Sequence, residues 1–253
     1  MLKPSFYDND RFDRSKRIEW LDIERIHEAK CLVVGAGALG NEVVKNLVLS
    51  GFRNITVVDM DDIVLSNLNR CIFFRDGDIG RVKKSEIIAK RASELDPDVK
   101  IIPLVMRIQE LRDWDHDIVL GCLDNISARL HLNSHSMFYG IPYVDGATDG
   151  FMGKVTVVLK EGPCLQCMMN RTHSQIIDER FSCTGDQKQF VPRIAAEITT
   201  TSIVAAIQVR EALKIISGKL ETCINTVYYN GVNGETFNVI SPVDPICPNH
   251  GGS

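Results

Sequence analysis

Residues 31–40 read CLVVGAGALG. An apolar run ends among glycines, and residues 38–51, ALGNEVVKNLVLSG, carry apolar positions at helical spacing up to Gly51, a helix stop. Gly35, Gly37 and Gly40 therefore form G-x-G-x-x-G between a buried strand and a helix. Glycines there let the backbone turn tightly and approach a phosphate. The helix N-terminus adds free N–H groups and a positive dipole end. The next strand, NITVVDMD, carries Asp59 at its end, about 20 residues on, where an acid holds ribose hydroxyls. The pattern predicts nucleotide binding, and the glycines alone leave open which nucleotide.

Strand and helix signals alternate outward from this loop. KKSEIIAKRASELDP reads as an amphipathic helix stopped before Pro97. VKIIPLVM, HDIVLGCLD and IPYVDGA read as strands, and ISARLHLNSHSMFYG as a helix between the last two. Near-continuous apolar strands alternating with helices predict a parallel sheet covered on both faces. The second half changes character. GKVTVVLK is a strand, followed by a Cys- and Gly-containing loop and one long helix over 191–217, with Pro192 near its start and Gly218 as its stop. CINTVYYNG and ETFNVIS meet at VNG, a hairpin signal. The fold expected is a Rossmann-like, doubly wound, mostly parallel α/β sheet with an antiparallel C-terminal extension. It would form a single domain over 1–253, with a helical arm at 1–29, a nucleotide-binding half at 30–150 and a metal-bearing half at 151–253 that includes a cysteine loop at 168–190.

The chain has 253 residues, 44 % of them hydrophobic, enough for a large core. Its net charge of −4 gives no basic surface for nucleic acid or membrane. Charges come early in MLKPSFYDNDRFDRSKR with no apolar segment after them, so no secretory signal is expected. No run approaches the ~18 apolar residues of a membrane helix. A soluble, cytoplasmic protein is the expectation.

The stretch after Asp59 is unusually polar: DMDDIVLSNLNRCIFFRDGDIGRVKKSEI. Asn67, Asn69, Arg70 and Lys83 cluster beyond the second strand, where cations would neutralise a triphosphate whose charge grows in a phosphoryl-centred transition state. A solvated charged face would look the same by composition alone. Two of the eight cysteines stand as Cys164-x-x-Cys167, and Cys247-x-x-His250 lies in the tail. Sulfur and imidazole suit tetrahedral Zn²⁺, and each spacing lets one turn deliver two ligands. These half-sites predict structural zinc, with His173 as the spare fourth ligand. Cys31, Cys71, Cys122 and Cys223 lie in or beside apolar runs and read as buried thiols. His27, His116, His131 and His135 are scattered singly and carry no expected role.

VVGAGALGNEVVKNLVLSGFRNITVVDMDDIVLSNLNR resembles the adenylation domain of ubiquitin-activating enzymes and their ThiF/MoeB relatives. DIGRVKKSE resembles the family's lysine motif, and VLGCLDNISAR its D-N-x-x-x-R segment. GATDGFMGKVTVV, the C-x-x-C, the cysteine loop and the long helix follow in the family's order. The resemblance implies ATP rather than NAD. Gly35, Gly37 and Gly40 would approach the phosphates, and Asp59 would bind ribose. Asp61 would join that nucleotide set, and Asn67, Arg70 and Lys83 would line the triphosphate. Asp124 would hold Mg²⁺, in keeping with the ion's preference for one or two carboxylates plus phosphate oxygens. It could equally cap the following helix. RFDR resembles an arginine element that reaches a partner subunit's ATP, which points to Arg14 and a homodimer. The family usually shows four cysteines at the zinc, so His250 is a departure.

Cys183, in FSCTGD, resembles the catalytic cysteine that takes the activated protein as a thioester. Attack needs a thiolate, and Arg180 or Lys188 would lower its pKa. The implied reaction is adenylation of the C-terminal glycine of a ubiquitin-like protein, followed by loading on Cys183, with a conjugating enzyme as a further partner. A sulfur-carrier protein ending in Gly-Gly, activated without a stable thioester, is the alternative within the family. An NAD(P)-dependent oxidoreductase explains the glycines and Asp59 but not Asn67, Arg70, Lys83 or the zinc half-sites. A non-catalytic partner subunit leaves the joint presence of Arg70, Lys83, Asp124 and Cys183 unexplained.

Overall fold

β-Branched runs build the centre of the protein. The computed structural model describes residues 10–169 and 195–250. After a short helix α1 (Ile23–Glu28), the chain alternates β1 (Lys30–Val34), α2 (Ala38–Ser50), β2 (Asn54–Val58), α3 (Lys84–Ala92), β3 (Lys100–Leu104), β4 (Ile118–Gly121) and α4 (Ile126–Tyr139). Then come β5 (Tyr143–Asp149), β6 (Met152–Val158), α5 (Leu165–Met169), α6 (Ile198–Ile216), β7 (Thr226–Asn230) and β8 (Glu235–Val239). One eight-stranded sheet has the order β3-β2-β1-β4-β5-β6-β7-β8. Strands β3 to β5 in this order are parallel neighbours, and β5 to β8 are antiparallel. The expected Rossmann-like sheet with its antiparallel extension is the one observed.

Strand periodicity sends alternate residues to two cores. Cys31, Val33, Ile55, Val57, Ile118 and Leu120 pack on one side, with α2 and α6. Leu32, Val34, Val58 and Val119 pack on the other, with Trp114 and the buried face of α4. Each such fully buried aliphatic side chain contributes roughly 1.5–3 kcal/mol.

Helix ends follow local chemistry. Gly51 stops α2 at φ 103°, as its position in the sequence predicts, and Gly140 likewise stops α4 at φ 70°. Three expectations need correction. The α3 helix ends at Ala92 rather than running to Pro97, because Ser93 caps it and turns its hydroxyl back onto the Ala89 carbonyl at 2.8 Å. The long helix starts at Ile198, where the Glu197 carboxylate accepts the Thr199 and Thr200 N–H groups, and Ala196 instead bridges to Gly150. Pro192 lies outside the described residues. The sheet is not covered throughout: β3 is an edge strand holding Pro103, and most of its residues are exposed.

The apolar residues of α6 pack inside the chain against α2, β5 and β6. Among the described residues, no helix is long and apolar enough to cross a membrane.

Candidate adenylation cleft and metal cluster

The strand order reverses between β1 and β4, and their C-terminal ends splay into a crevice, the place where open α/β sheets bind ligands. The glycine loop leaves β1 there, and Asp124 follows β4. Gly35 has φ 98°, and a Cβ on it would lie 2.4 Å from the Cys122 carbonyl oxygen. Only glycine permits that approach of β1 to β4. Asn41, fully buried on α2, donates to the Ala36 and Gly37 carbonyls at 3.1 and 2.9 Å, and accepts the Phe73 N–H at 3.0 Å. It thus ties the glycine loop to the segment that carries Asn67 and Arg70. Sequence reading passed over Asn41, because an asparagine on an apolar helix face looks like a solvent position.

Asp59 accepts the Ala36 N–H at 2.7 Å on one oxygen and the Asp61 N–H at 2.8 Å on the other. Burial raises its carboxyl above the ordinary value, against the pull of Lys84 and the two N–H donors. Gly35, Gly37, Asp59, Asp61, Asn67, Arg70 and Asp124 all line the cleft. Asn67 accepts the Val64 N–H at 3.1 Å, and Arg70 donates to Asn69 at 3.0 Å and to the Ser66 carbonyl. Asp124 is exposed and has no hydrogen-bond or ionic partner among the described residues. The helix cap is Asn125, whose side chain accepts the Ala128 N–H at 2.8 Å, so the Asp124 carboxylate is left to the cleft.

Other expected residues lie elsewhere. Gly40 sits beneath the loop, packed on Gly35. Lys83 precedes α3 and pairs with Asp62 at 2.8 Å, outside the cleft lining, whereas Lys84 lines the cleft and pairs with Asp61 at 2.8 Å. Arg14 is exposed beside a short turn at Ser15–Arg17 and does not line the cleft. Cys183, Arg180, Lys188 and His173 lie outside the described residues.

The far wall was not foreseen. Asp145 is fully buried and takes both nitrogens of a fork from Arg129, with Nε at 3.0 Å, and the Tyr143 hydroxyl at 2.6 Å. An acid inside a strand gave no sequence signal of that pairing. Arg129, Lys154 and Tyr228 line the cleft there, with Asp145 buried behind Arg129. Of the buried-thiol set, Cys31 and Cys71 are buried, while Cys122 and Cys223 are only half-buried. The histidines are less scattered than expected: His131 and His135 approach at 4.0 Å between ring centroids, and His135 stacks on Trp114.

Cys164, Cys167, Cys247 and His250 converge, their ligand atoms all within 4.8 Å of one another. Cys164 Sγ stands 3.7 Å from Cys167 Sγ and 3.5 Å from Cys247 Sγ. Both exceed a disulfide, and both approach the edge of about 3.8 Å that a tetrahedral ion sets with sulfur bonds of about 2.3 Å. The His250 Nε2 atom is buried without a hydrogen-bond partner, as an imidazole ligand would be. Asn249 Nδ2 lies 3.7 Å from Cys164 Sγ. The donor set fits a divalent zinc-type ion. Helix α4 links the two regions: Asn125 caps its cleft end, and Asn133 accepts the Leu165 N–H at 2.8 Å beside the cluster.

The sequence profile of the ThiF family matches residues 13–249. A NEDD8-activating enzyme E1 catalytic subunit of Arabidopsis thaliana is 31% identical over 282 residues, covering 81% of this chain and 61% of that protein. A SUMO-activating enzyme subunit 2 of Dictyostelium discoideum is 37% identical over 150 residues, covering 57% of this chain and 22% of that protein. The chain thus spans between about a fifth and three fifths of the length of these relatives. The structure of E. coli MccB with ATP superposes with a TM-score of 0.77 at 19% identity, over 98% of this chain and 76% of that one. At that identity the likeness concerns the fold.

Proposed function

The chain belongs to the ThiF family, and from that premise we propose that it activates a ubiquitin-like protein by adenylating the carboxylate of its C-terminal glycine. The observation that carries this reading is the convergence of the glycine loop, Asp59, Arg70 and the unpartnered Asp124 carboxylate on one cleft. ATP lies with its phosphates over Gly35 and Gly37 and its ribose against Asp59. Asn67 and Arg70 hold the triphosphate, with Lys83 or Lys84 supplying further positive charge. Asp124 holds Mg²⁺, which neutralises phosphate oxygens when bound. A carboxylate oxygen of the incoming chain then forms a bond to the α-phosphorus, the bond to the β-phosphate oxygen breaks, and diphosphate leaves. No side chain acts as a nucleophile in this step; the site positions reactants and balances charge. In the reading with a second step, the Cys183 thiolate attacks the acyl carbon and AMP departs, leaving a thioester. Cys164, Cys167, Cys247 and His250 hold a structural Zn²⁺ that pins the C-terminal tail. A homodimer, in which Arg14 serves a partner's nucleotide, and a conjugating enzyme complete the proposal.

The test mixes the protein with Mg-ATP and a ubiquitin-like protein ending in Gly-Gly. Diphosphate release is followed alongside intact mass spectrometry without reductant, for wild type and Cys183→Ala. A thiol-labile adduct absent from the variant supports the two-step reading. Diphosphate release without an adduct, equal in both proteins, moves the chain to sulfur-carrier activation and makes Cys183 incidental. No diphosphate release, together with binding of a nicotinamide cofactor, overturns adenylation.

A further inference from the structure

The cleft does not end at the nucleotide half. It runs across the strand ends to β6 and β7, where Met152, Lys154 and Tyr228 line it. Lys154, Tyr228 and Phe237 stand opposite one another in register on three adjacent strands, so their side chains share one face. The Lys154 ammonium lies 5.3 Å from the centre of the Tyr228 ring, and that ring stacks on Phe237 at 5.1 Å and 10°. The row is therefore an ordered one, with its cation at the cleft end.

Three of the other four cleft cations have oxygen partners. Arg129 is committed to Asp145, Lys84 to Asp61, and Arg70 to Ser66 and Asn69. Among the described residues, Lys154 has no carboxylate or carbonyl partner, and unlike the exposed Arg107 it is half-buried. Two acids share that face of β5: Asp145 is committed to Arg129, and Asp149 is exposed and makes no ion pair with Lys154. A half-buried ammonium held over a ring, with no anion beside it among the described residues, is a site for one.

We propose that Lys154 is a specificity-determining residue that receives a carboxylate side chain, Asp or Glu, on the incoming protein's C-terminal tail. This rests on the adenylation reading above. The tail position follows from the sheet. Lys154 pairs with Ala147, two residues beyond Asp145, which pairs with Gly121 at the end of β4. Asp124 also lies beyond Gly121, and it lines the same cleft as Lys154 from a strand two spacings away. Two spacings are about 10 Å, which an extended chain covers in roughly three residues. The acidic side chain thus belongs about three residues before the terminal glycine.

The experiment uses two short N-acetylated peptides ending in Gly-Gly, identical except for Glu or Lys at the third residue before the last. Binding to the full chain is measured with Mg and a non-hydrolysable ATP analogue, for wild type, Lys154→Ala and Lys154→Glu. Mg-ATP affinity is read on the same samples. Wild type should prefer the Glu peptide by about tenfold or more, the magnitude of one charge-assisted contact. Lys154→Ala should remove the preference and Lys154→Glu should invert it, which a structural role for Lys154 would not do. Equal affinity for the two peptides, or binding of neither by a wild type that binds Mg-ATP, overturns the proposal. So does a variant that loses Mg-ATP affinity while keeping the peptide preference, since Lys154 would then be a phosphate ligand. A wild type that fails to bind Mg-ATP overturns the adenylation reading, and this proposal with it.

Discussion

Gly40 presses against Gly35: a Cβ at position 40 would lie 2.0 Å from the Gly35 carbonyl oxygen, while a Cβ at Gly37 would meet nothing within 4 Å. The glycines of one motif therefore do different physical work. Gly40 lets the helix close on the loop, and Gly37 keeps space open in front of it.

Alanine separates the two. Gly40→Ala overpacks the loop and should cost about 1–3 kcal/mol in urea unfolding. Gly37, at an ordinary φ of −75°, should tolerate alanine within about 0.5 kcal/mol, yet lose Mg-ATP affinity because the methyl occupies the phosphate approach. Wild-type stability in Gly40→Ala would contradict the packing, and undiminished affinity in Gly37→Ala would contradict the phosphate placement.

The Arg129–Asp145 pair braces the far wall. Arg129→Met strands a fully buried carboxylate and should destabilise the chain by about 3–5 kcal/mol. Replacing both, as Arg129→Met with Asp145→Leu, should recover most of that loss. Additive losses in the double variant, measured by urea titration, would refute the buried-pair account.

Zinc content is directly measurable. The purified chain should carry stoichiometric zinc by elemental analysis, and a chelator should lower its Tm. Cys247→Ser and His250→Ala should each reduce the zinc retained. A metal-free chain whose Tm ignores the chelator would show that the four side chains converge for packing alone.

Acid stability should follow Asp78. The Arg91 guanidinium holds its carboxyl below the ordinary 3.8, with help from the Arg75 N–H at 2.7 Å. A lowered folded-state pKa means that the unfolded chain binds the proton more tightly. The stabilisation is therefore present above about pH 3.8 and is lost as pH falls through the folded-state value. Arg91→Met should flatten the acid limb of a stability–pH curve, and an unchanged limb would assign acid sensitivity elsewhere.

Much of the sheet was legible because its signals are local. The glycines after β1, the Gly51 stop and the VNG hairpin each report backbone conformation over a few residues. The convergence of the two Cys/His half-sites was legible for the same reason, since each spacing is set within one turn. What stayed hidden depends on distant partners. Asn41 looks like an ordinary helix position until Phe73 reaches it, and Asp145 becomes intelligible only beside Arg129. Asp124 could have capped a helix, and only the backbone shows that Asn125 does so. Lys83 and Lys84 are adjacent in sequence, and only the turn into α3 separates the one paired with Asp62 from the one in the cleft.

The central claim is a nucleotide site built from the glycine loop, Asp59 and Asp124. Calorimetric titration of the purified chain with Mg-ATP, and separately with NAD, tests it most directly. The account predicts saturable Mg-ATP binding that weakens at least about tenfold in Asp59→Ala, and no heat from NAD. Binding of NAD in preference to Mg-ATP, or Mg-ATP binding indifferent to Asp59→Ala, would contradict it.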